Sequence, residues 1–378
     1  MPKLPKALQL KLDQRLRNES LRELKTTLPS LTDFASNDYL GLSQLTSVEV
    51  TAENIHQQYP VDAKPGSRLL TGNSQLHYDC ENYLADFYQA ESALLFNSGY
   101  TANLGLISAI GLRQSLILFD ELVHASIRDG ISLAQAKSYK FKHNNLVDLG
   151  RKLQQYAHQF DSIYVITETV FSMDGDQAPV EKISALCKQF NAHFILDEAH
   201  AIGVLGKEGL SFQNINCLAR VITFGKSFAQ HGAVILGSEA LKSYLVNFSR
   251  SLIYTTAIST QQTALIWAAH QEFKKNLNLV HQLQTNIALF LEQVQQLQLE
   301  DYLITSQSAI QSCIISGNSA CKSIAEALQK EQFDVRAILS PTVPKGKERL
   351  RFCLHAYNST EEIKRVLALL KVKLASIS

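Results

Sequence analysis

The chain switches between two hydrophobic periods. From about Ala7 to Leu28, Leu8, Leu12, Leu16, Leu21 and Leu24 recur at roughly helical spacing, with charges on the other face. Pro29 follows, so an amphipathic helix ending there is expected. A second helix is expected from about Ser74 to Tyr88. Short apolar runs then alternate with helical stretches. Ala93–Phe96, Leu116–Phe119, Ser162–Glu168, Phe194–Leu196 and Val221–Phe224 read as buried strands. Helices are expected at Tyr100–Ile110, from about Ser126, and at Pro179–Asn191. The run at 162–168 is apolar on both faces, as a parallel strand covered on both sides requires. Ala233–Leu236 follows the run at 221–224 too soon for a helical crossover, which predicts an antiparallel hairpin partner.

Beyond that the pattern is helical from about Thr260 to Gln298, with no glycine or proline. A smaller α+β region follows, with a strand near Ser308–Ile315, a helix at Ala320–Glu331, a strand at Arg349–Leu354 and a terminal helix. The fold class expected is α/β. A mostly parallel sheet flanked by helices forms a large domain, with an N-terminal helical arm and a small C-terminal α+β domain. The boundaries read as 1–45 for the arm and the segment after it, 46–275 for the large domain and 276–378 for the small one.

Composition narrows the function classes. At 378 residues the chain is long enough for two or three compact units, and 46% hydrophobic with 19% charged residues suits a large core. Lys+Arg is 36 against Asp+Glu 35, a net charge of +1, so neither nucleic acid nor an anionic membrane is expected as a partner. None of the six cysteines forms a C-x-x-C pair, which argues against a zinc ribbon or redox motif. Free buried thiols in a reducing cytoplasm are the simplest expectation. Met1-Pro-Lys-Leu-Pro5 lacks the apolar core of a signal peptide, and no run of about 18 apolar residues suggests a membrane span.

Candidate chemistry sits at the strand ends. Val221-Ile-Thr-Phe-Gly-Lys226 is an apolar strand and a small turn carrying one lysine. Taken alone, Lys226 also fits a surface loop. His193-Phe-Ile-Leu-Asp197 places Asp197 at the carboxyl end of another strand, where open α/β sheets gather ligand groups. A strand-end Asp is also a common helix cap. The two lie 226 − 197 = 29 residues apart, room for one crossover and the next strand. An acid and a lysine in that order suit pyridoxal phosphate. The amine bonds the cofactor aldehyde, and the carboxylate keeps the pyridine nitrogen protonated. Asn97-Ser-Gly-Tyr100 opens a helix, whose free N–H groups form a natural phosphate site at Gly99 and Tyr100. Ser98 also fits a plain N-cap.

Four stretches, Phe34-Ala-Ser-Asn-Asp-Tyr-Leu-Gly-Leu-Ser43, Glu168-Thr-Val-Phe-Ser-Met-Asp-Gly-Asp176, Asp197-Glu-Ala-His200 and Thr223-Phe-Gly-Lys226, resemble the α-oxoamine synthases. These are pyridoxal-phosphate acyltransferases of aminotransferase fold type I, and the resemblance runs from about Leu12 to the C-terminal helix. It implies Lys226 as cofactor lysine, Asp197 beneath the ring nitrogen, His124 stacked on the ring and His200 at its phenolic oxygen. It adds Ser172 and Thr223 as cofactor contacts, and Thr255 and Thr256 reaching the phosphate of a second subunit, hence a homodimer with shared active sites. Arg351 and Asn37 are implied at the amino-acid carboxylate, and Arg22 and Thr342 on the substrate side. Arg22, His124 and Arg351 also fit an arm residue, a packing residue and a strand-edge residue in solvent. Asn37 and Asp38 also fit an Asx turn at the end of a strand.

Ser308-Ala-Ile-Gln311 and Ser340-Pro-Thr-Val-Pro344 resemble the family member that condenses L-alanine with a pimeloyl thioester of coenzyme A or acyl carrier protein. No metal is implied. Departures fall at Leu339, where an arginine is expected, at Ala201-Ile202, at Lys64-Pro65 and at Phe228-Ala-Gln-His-Gly232. The rivals are a sibling that uses glycine, an aminotransferase or decarboxylase, and a catalytically silent partner chain.

Overall fold

The computed structural model describes residues 4–24, 26, 30–60 and 64–376. They fall into two compact units. The larger comprises Asn37–Ser172 and Gln177–His281, and the smaller comprises Met1–Ser36, Met173–Asp176 and Gln282–Ser378.

A seven-stranded sheet forms the middle of the larger unit. Its strands in chain order are Ser92–Phe96, Ser115–Asp120, Lys137–Phe141, Ser162–Glu168, His193–Asp197, Ala219–Thr223 and Ala233–Gly237. In space they run first, seventh, sixth, fifth, fourth, second, third. The seventh pairs antiparallel with both neighbours, and every other pairing is parallel. The short link after the lysine strand therefore makes the expected hairpin, while helical crossovers make the parallel pairs.

Each sheet face has its own apolar layer. On one, Phe96, Ile166 and Val221 pack with Ala102, Leu106 and Ile127 of helices Gly99–Ile110 and Ala125–Leu133. On the other, Leu118, Val165 and Phe194 pack with Leu149, Leu153 and Ile183 of helices Leu146–Tyr156 and Val180–Gln189. The 162–168 strand contributes to both layers, as its two apolar faces require.

The smaller unit holds a three-stranded antiparallel sheet. Arg349–Cys353 lies between Arg336–Ile338 and Ile310–Ile314. Helices Asn318–Lys330 and Thr360–Ala375 belong to the same unit, the second opened by a reciprocal Ser359–Glu362 capping box.

Three expectations are corrected, and one strand was not foreseen. The N-terminal helix covers Lys6–Arg17 only, because Asn18 leaves helical geometry and Glu19 turns to φ +51°. Leu28 and Pro29 lie outside the described residues. The stretch 260–298 is two helices, Thr260–Lys275 and Asn278–Gln296, divided at Asn276, whose backbone (φ −120°, ψ 39°) is not helical. Lys137–Phe141 is a strand that the hydrophobic pattern does not reveal. It sits at the sheet edge, and three of its five residues are exposed. Arg351 is not a solvent-facing edge residue, since it lies mid-strand in the central strand of its sheet and is 9% exposed.

All six cysteines are free thiols, and five are buried. Burial pushes the Cys187 thiol up to about 12, so it behaves as an apolar filler. No described helix is long and apolar enough to cross a membrane.

Candidate active site

The lysine turn is pinned from both sides. Strand Ala219–Thr223 is buried up to Ile222. Beyond it Phe224 N–H donates to Gly232 O (3.0 Å), Gln230 N–H to Phe224 O (2.8 Å) and Ala229 N–H to Lys226 O (2.8 Å). Ser227 Oγ donates to Ile202 O at 2.6 Å. Phe228 is fully buried and stacks on His270, with ring centroids 4.0 Å apart. The turn therefore closes on its own backbone and on the core, leaving Lys226 half-buried at its tip.

Asp197 ends the adjacent strand and pairs in register with Val221. It is 4% exposed. Asn103 Nδ2 donates to its Oδ2 at 2.7 Å and Ala199 N–H to its Oδ1 at 2.9 Å. The two donors together fix the carboxylate's orientation. Glu168, its register partner on the other side, is also buried and accepts from His124 N–H at 2.5 Å. Burial, and then the Asp197 charge, push the Glu168 carboxyl well above its usual range. Of the two neighbouring acids, Glu168 is thus the one suited to carry a proton.

His124 caps the helix Ala125–Leu133, its Nδ1 accepting from Ser126 N–H at 3.2 Å. Burial holds its pKa below the ordinary value, with Asp197 opposing and Lys226 assisting. A neutral, flat ring is the consequence. Ser98 and Thr101 form a capping box at the start of Gly99–Ile110. The N-cap reading of Ser98 is therefore observed. It leaves the Gly99 and Tyr100 amides in the helix's first turn, where backbone N–H groups lack intrahelical acceptors. His200 is 5% exposed, and its Nδ1 lies 2.7 Å from the Tyr39 hydroxyl.

These elements enclose a cavity of about 250 Å³. Seven residues singled out from the sequence line it: Gly99, Tyr100, His124, Asp197, His200, Thr223 and Lys226. Asn103, Ser126 and Glu168 line it too. Asn103 carries the clearest missed signal, a polar amide among the buried residues of the helix Gly99–Ile110. Ser172, Asn37, Thr255 and Thr256 are in the same unit but do not line this cavity. Asn37 Oδ1 lies 3.1 Å from the Tyr39 hydroxyl, and Thr256 O accepts from Asn97 Nδ2. Asp33 makes an Asx turn just before this segment, its Oδ1 accepting from the Ala35 and Ser36 amides. In the smaller unit Arg22 Nη2 donates to Thr342 Oγ1 at 2.9 Å, so two residues inferred for the substrate side meet.

The donor set fits pyridoxal phosphate. A braced buried carboxylate suits a pyridinium nitrogen, and a half-buried lysine suits the aldehyde. A Cβ at Gly99 would lie 3.1 Å from Thr223 Cβ, so a side chain there would crowd the helix start, whose free N–H groups suit a phosphate.

Fold and cavity together define a pyridoxal-phosphate enzyme of the aminotransferase fold. The chain belongs to the aminotransferase class I and II family, whose profile matches residues 29–370. It is 39% identical over 392 aligned residues to the 8-amino-7-oxononanoate synthase of Emericella nidulans, covering 96% of this chain and 95% of that one. The structure of 8-amino-7-oxononanoate synthase from Francisella tularensis is 30% identical with a TM-score of 0.74, covering 92% of this chain and 98% of the other. Serine palmitoyltransferase from S. paucimobilis is 22% identical, with a TM-score of 0.87 and 98% coverage of both chains, a likeness of fold.

Proposed function

We propose that the chain is an acyltransferase that condenses L-alanine with a pimeloyl thioester of coenzyme A or acyl carrier protein. The products are 8-amino-7-oxononanoate, carbon dioxide and the free thiol carrier, a step in biotin biosynthesis. The observation that carries this reading is the meeting of Lys226 and the braced Asp197 carboxylate in one cavity, in a chain so similar to synthases of that name.

Bound there, pyridoxal phosphate supplies an aldehyde that captures amines and a ring that takes up the electron pair freed at the substrate α-carbon. Lys226 would hold the cofactor through Nζ, and the same amine, when free, would take the α-proton of alanine. Asp197 keeps the ring nitrogen protonated, with Asn103 and Ala199 holding its carboxylate still. His124 offers a flat neutral face, Gly99 and Tyr100 offer amides for the phosphate, and Ser172 and Thr223 add hydroxyls. His200 donates to the phenolic oxygen or the thioester carbonyl. Arg351 suits a carboxylate through its planar fork, with Asn37 beside it in role. Arg22 and Thr342 serve the acyl side.

A homodimer, with Thr255 and Thr256 serving the partner's phosphate, completes the reading. A monomer in sedimentation velocity at assay concentration would remove that part. A cytoplasmic setting fits the free thiols.

The test is thiol release by purified protein given pyridoxal phosphate, pimeloyl-CoA and either L-alanine or glycine. Release with alanine and little with glycine is expected. Preference for glycine would transfer the chain to a sibling activity. Release without any amino acid would overturn the condensation.

A further inference from the structure

Tyr39 is fully buried, three residues into the larger unit, on the segment that turns at Gly41 (φ +72°). Its ring lies 6.2 Å from that of His200, tilted by 52°. Its hydroxyl has one proton, and two acceptors lie in reach: His200 Nδ1 at 2.7 Å and Asn37 Oδ1 at 3.1 Å. An imidazole nitrogen is the stronger base, and 2.7 Å is the usual length of a good hydroxyl hydrogen bond.

A second tyrosine–histidine pair in the same unit shows this polarity. His270 Nδ1 lies 2.7 Å from Ile266 O, a carbonyl that can only accept, so Nδ1 carries the proton. His270 Nε2 must then accept from the Tyr88 hydroxyl at 2.8 Å. At His200 the ring is turned the other way, with tyrosine at Nδ1.

We propose that Tyr39 is a positioning residue for His200: its hydroxyl donates to Nδ1, which puts the ring proton on Nε2 and makes His200 a hydrogen-bond donor towards the cavity. A neutral imidazole has one donor and one acceptor nitrogen, and the partner of the first decides the role of the second. Without that donation the proton can move to Nδ1, and Nε2 then presents a lone pair. A lone pair repels a phenolic or thioester oxygen where an N–H stabilises it. The inference rests on the reading of His200 as a donor to such an oxygen.

The proton position is read directly by ¹⁵N NMR on histidine-labelled full-length protein at pH 8, with and without pyridoxal phosphate. His200→Gln assigns the signal. The wild type is expected to show His200 with Nε2 protonated and Nδ1 bare. Tyr39→Phe, which keeps the ring and removes the hydroxyl, is expected to shift both nitrogens towards a mixed tautomer. In that variant kcat should fall about 10–100-fold, as for other residues that orient a working histidine, while KM for alanine stays within about twofold. A wild-type spectrum with Nδ1 protonated, or with both nitrogens protonated, overturns the proposal. So does a Tyr39→Phe spectrum unchanged from wild type. The wild-type spectrum decides even if the variant does not fold. Failure of the pimeloyl assay with the expected tautomer would overturn the substrate assignment alone.

Discussion

His270 occupies the centre of an aromatic cluster, stacked on Phe228 and edge-on to Phe87 and Phe224, directly behind the lysine turn. Burial lowers its pKa from 6.5 to about 3. The folded protein therefore refuses a proton that the unfolded chain accepts between those values. Stability from this residue is complete above pH 6.5 and is lost progressively as pH falls towards about 3. From pH 8 to pH 5 the loss is about 2 kcal/mol at most, from one and a half pH units at about 1.4 kcal/mol each. In urea denaturation at both pH values, His270→Gln should lose less stability over that interval than wild type, by up to this amount. Equal losses would mean that His270 takes up its proton while folded. Individual site residues differ in how legible they are in the sequence. Lys226 and Asp197 each end a short apolar strand, so their chemistry stands out against the pattern. His124 and His200 are recognisable only from their motifs. Glu168 stands in a family-like motif, but its proton reflects desolvation and the Asp197 charge, which arise only when separate strands pair.

Among the elements, the loop Met173–Asp176 belongs to the smaller unit although its neighbours in sequence belong to the larger one. Ser306 Oγ and Ser308 Oγ both donate to Gly175 O at 2.8 Å, and Ser312 Oγ donates to Met173 O at 2.6 Å. Arg349 pairs with Asp174. The Ser308-Ala-Ile-Gln311 motif therefore has a physical role. Its serine and strand fasten this loop, and Gln311 Nε2 donates back to Ser308 O at 2.9 Å. Gly175 is required there. Its φ is +79°, and an added Cβ would lie 2.1 Å from the Ile310 carbonyl oxygen. Gly175→Ala should cost about 2–4 kcal/mol, combining left-handed strain with overpacking. Thermal melting of the variant checks this, and an unchanged melting temperature would contradict it. The turn at Gly175 is readable from sequence, since glycine between two aspartates is a turn signal. The extra strands Thr32–Asp33, Phe333–Asp334 and Arg336–Ile338 are not. They have two or three residues each, too few for a period to show.

Over the full chain, the strand-and-helix alternation is legible because crossover connections demand it, and the family's class I and II profile agrees over residues 29–370. The near-neutral charge, 36 basic against 35 acidic residues, suits an enzyme of small substrates better than a binder of polyanions. Within the larger unit, the cofactor cavity draws on five separated segments, around Gly99, His124, Glu168, Asp197 and Thr223–Lys226. No single stretch reveals such a site, and the parallel sheet assembles it at its strand ends. The proposed chemistry depends above all on Lys226 and Asp197 forming one pyridoxal-phosphate site. A spectrophotometric titration of wild type, Lys226→Ala and Asp197→Asn with pyridoxal phosphate, followed by alanine, examines that pairing. A visible band in wild type that shifts with alanine is expected. Lys226→Ala should lose the covalent band after borohydride reduction, and Asp197→Asn should keep a covalent band with kcat lowered by about 10²–10³-fold. A borohydride-stable adduct of equal yield in Lys226→Ala, or no visible band in wild type, would contradict the assignment of this site.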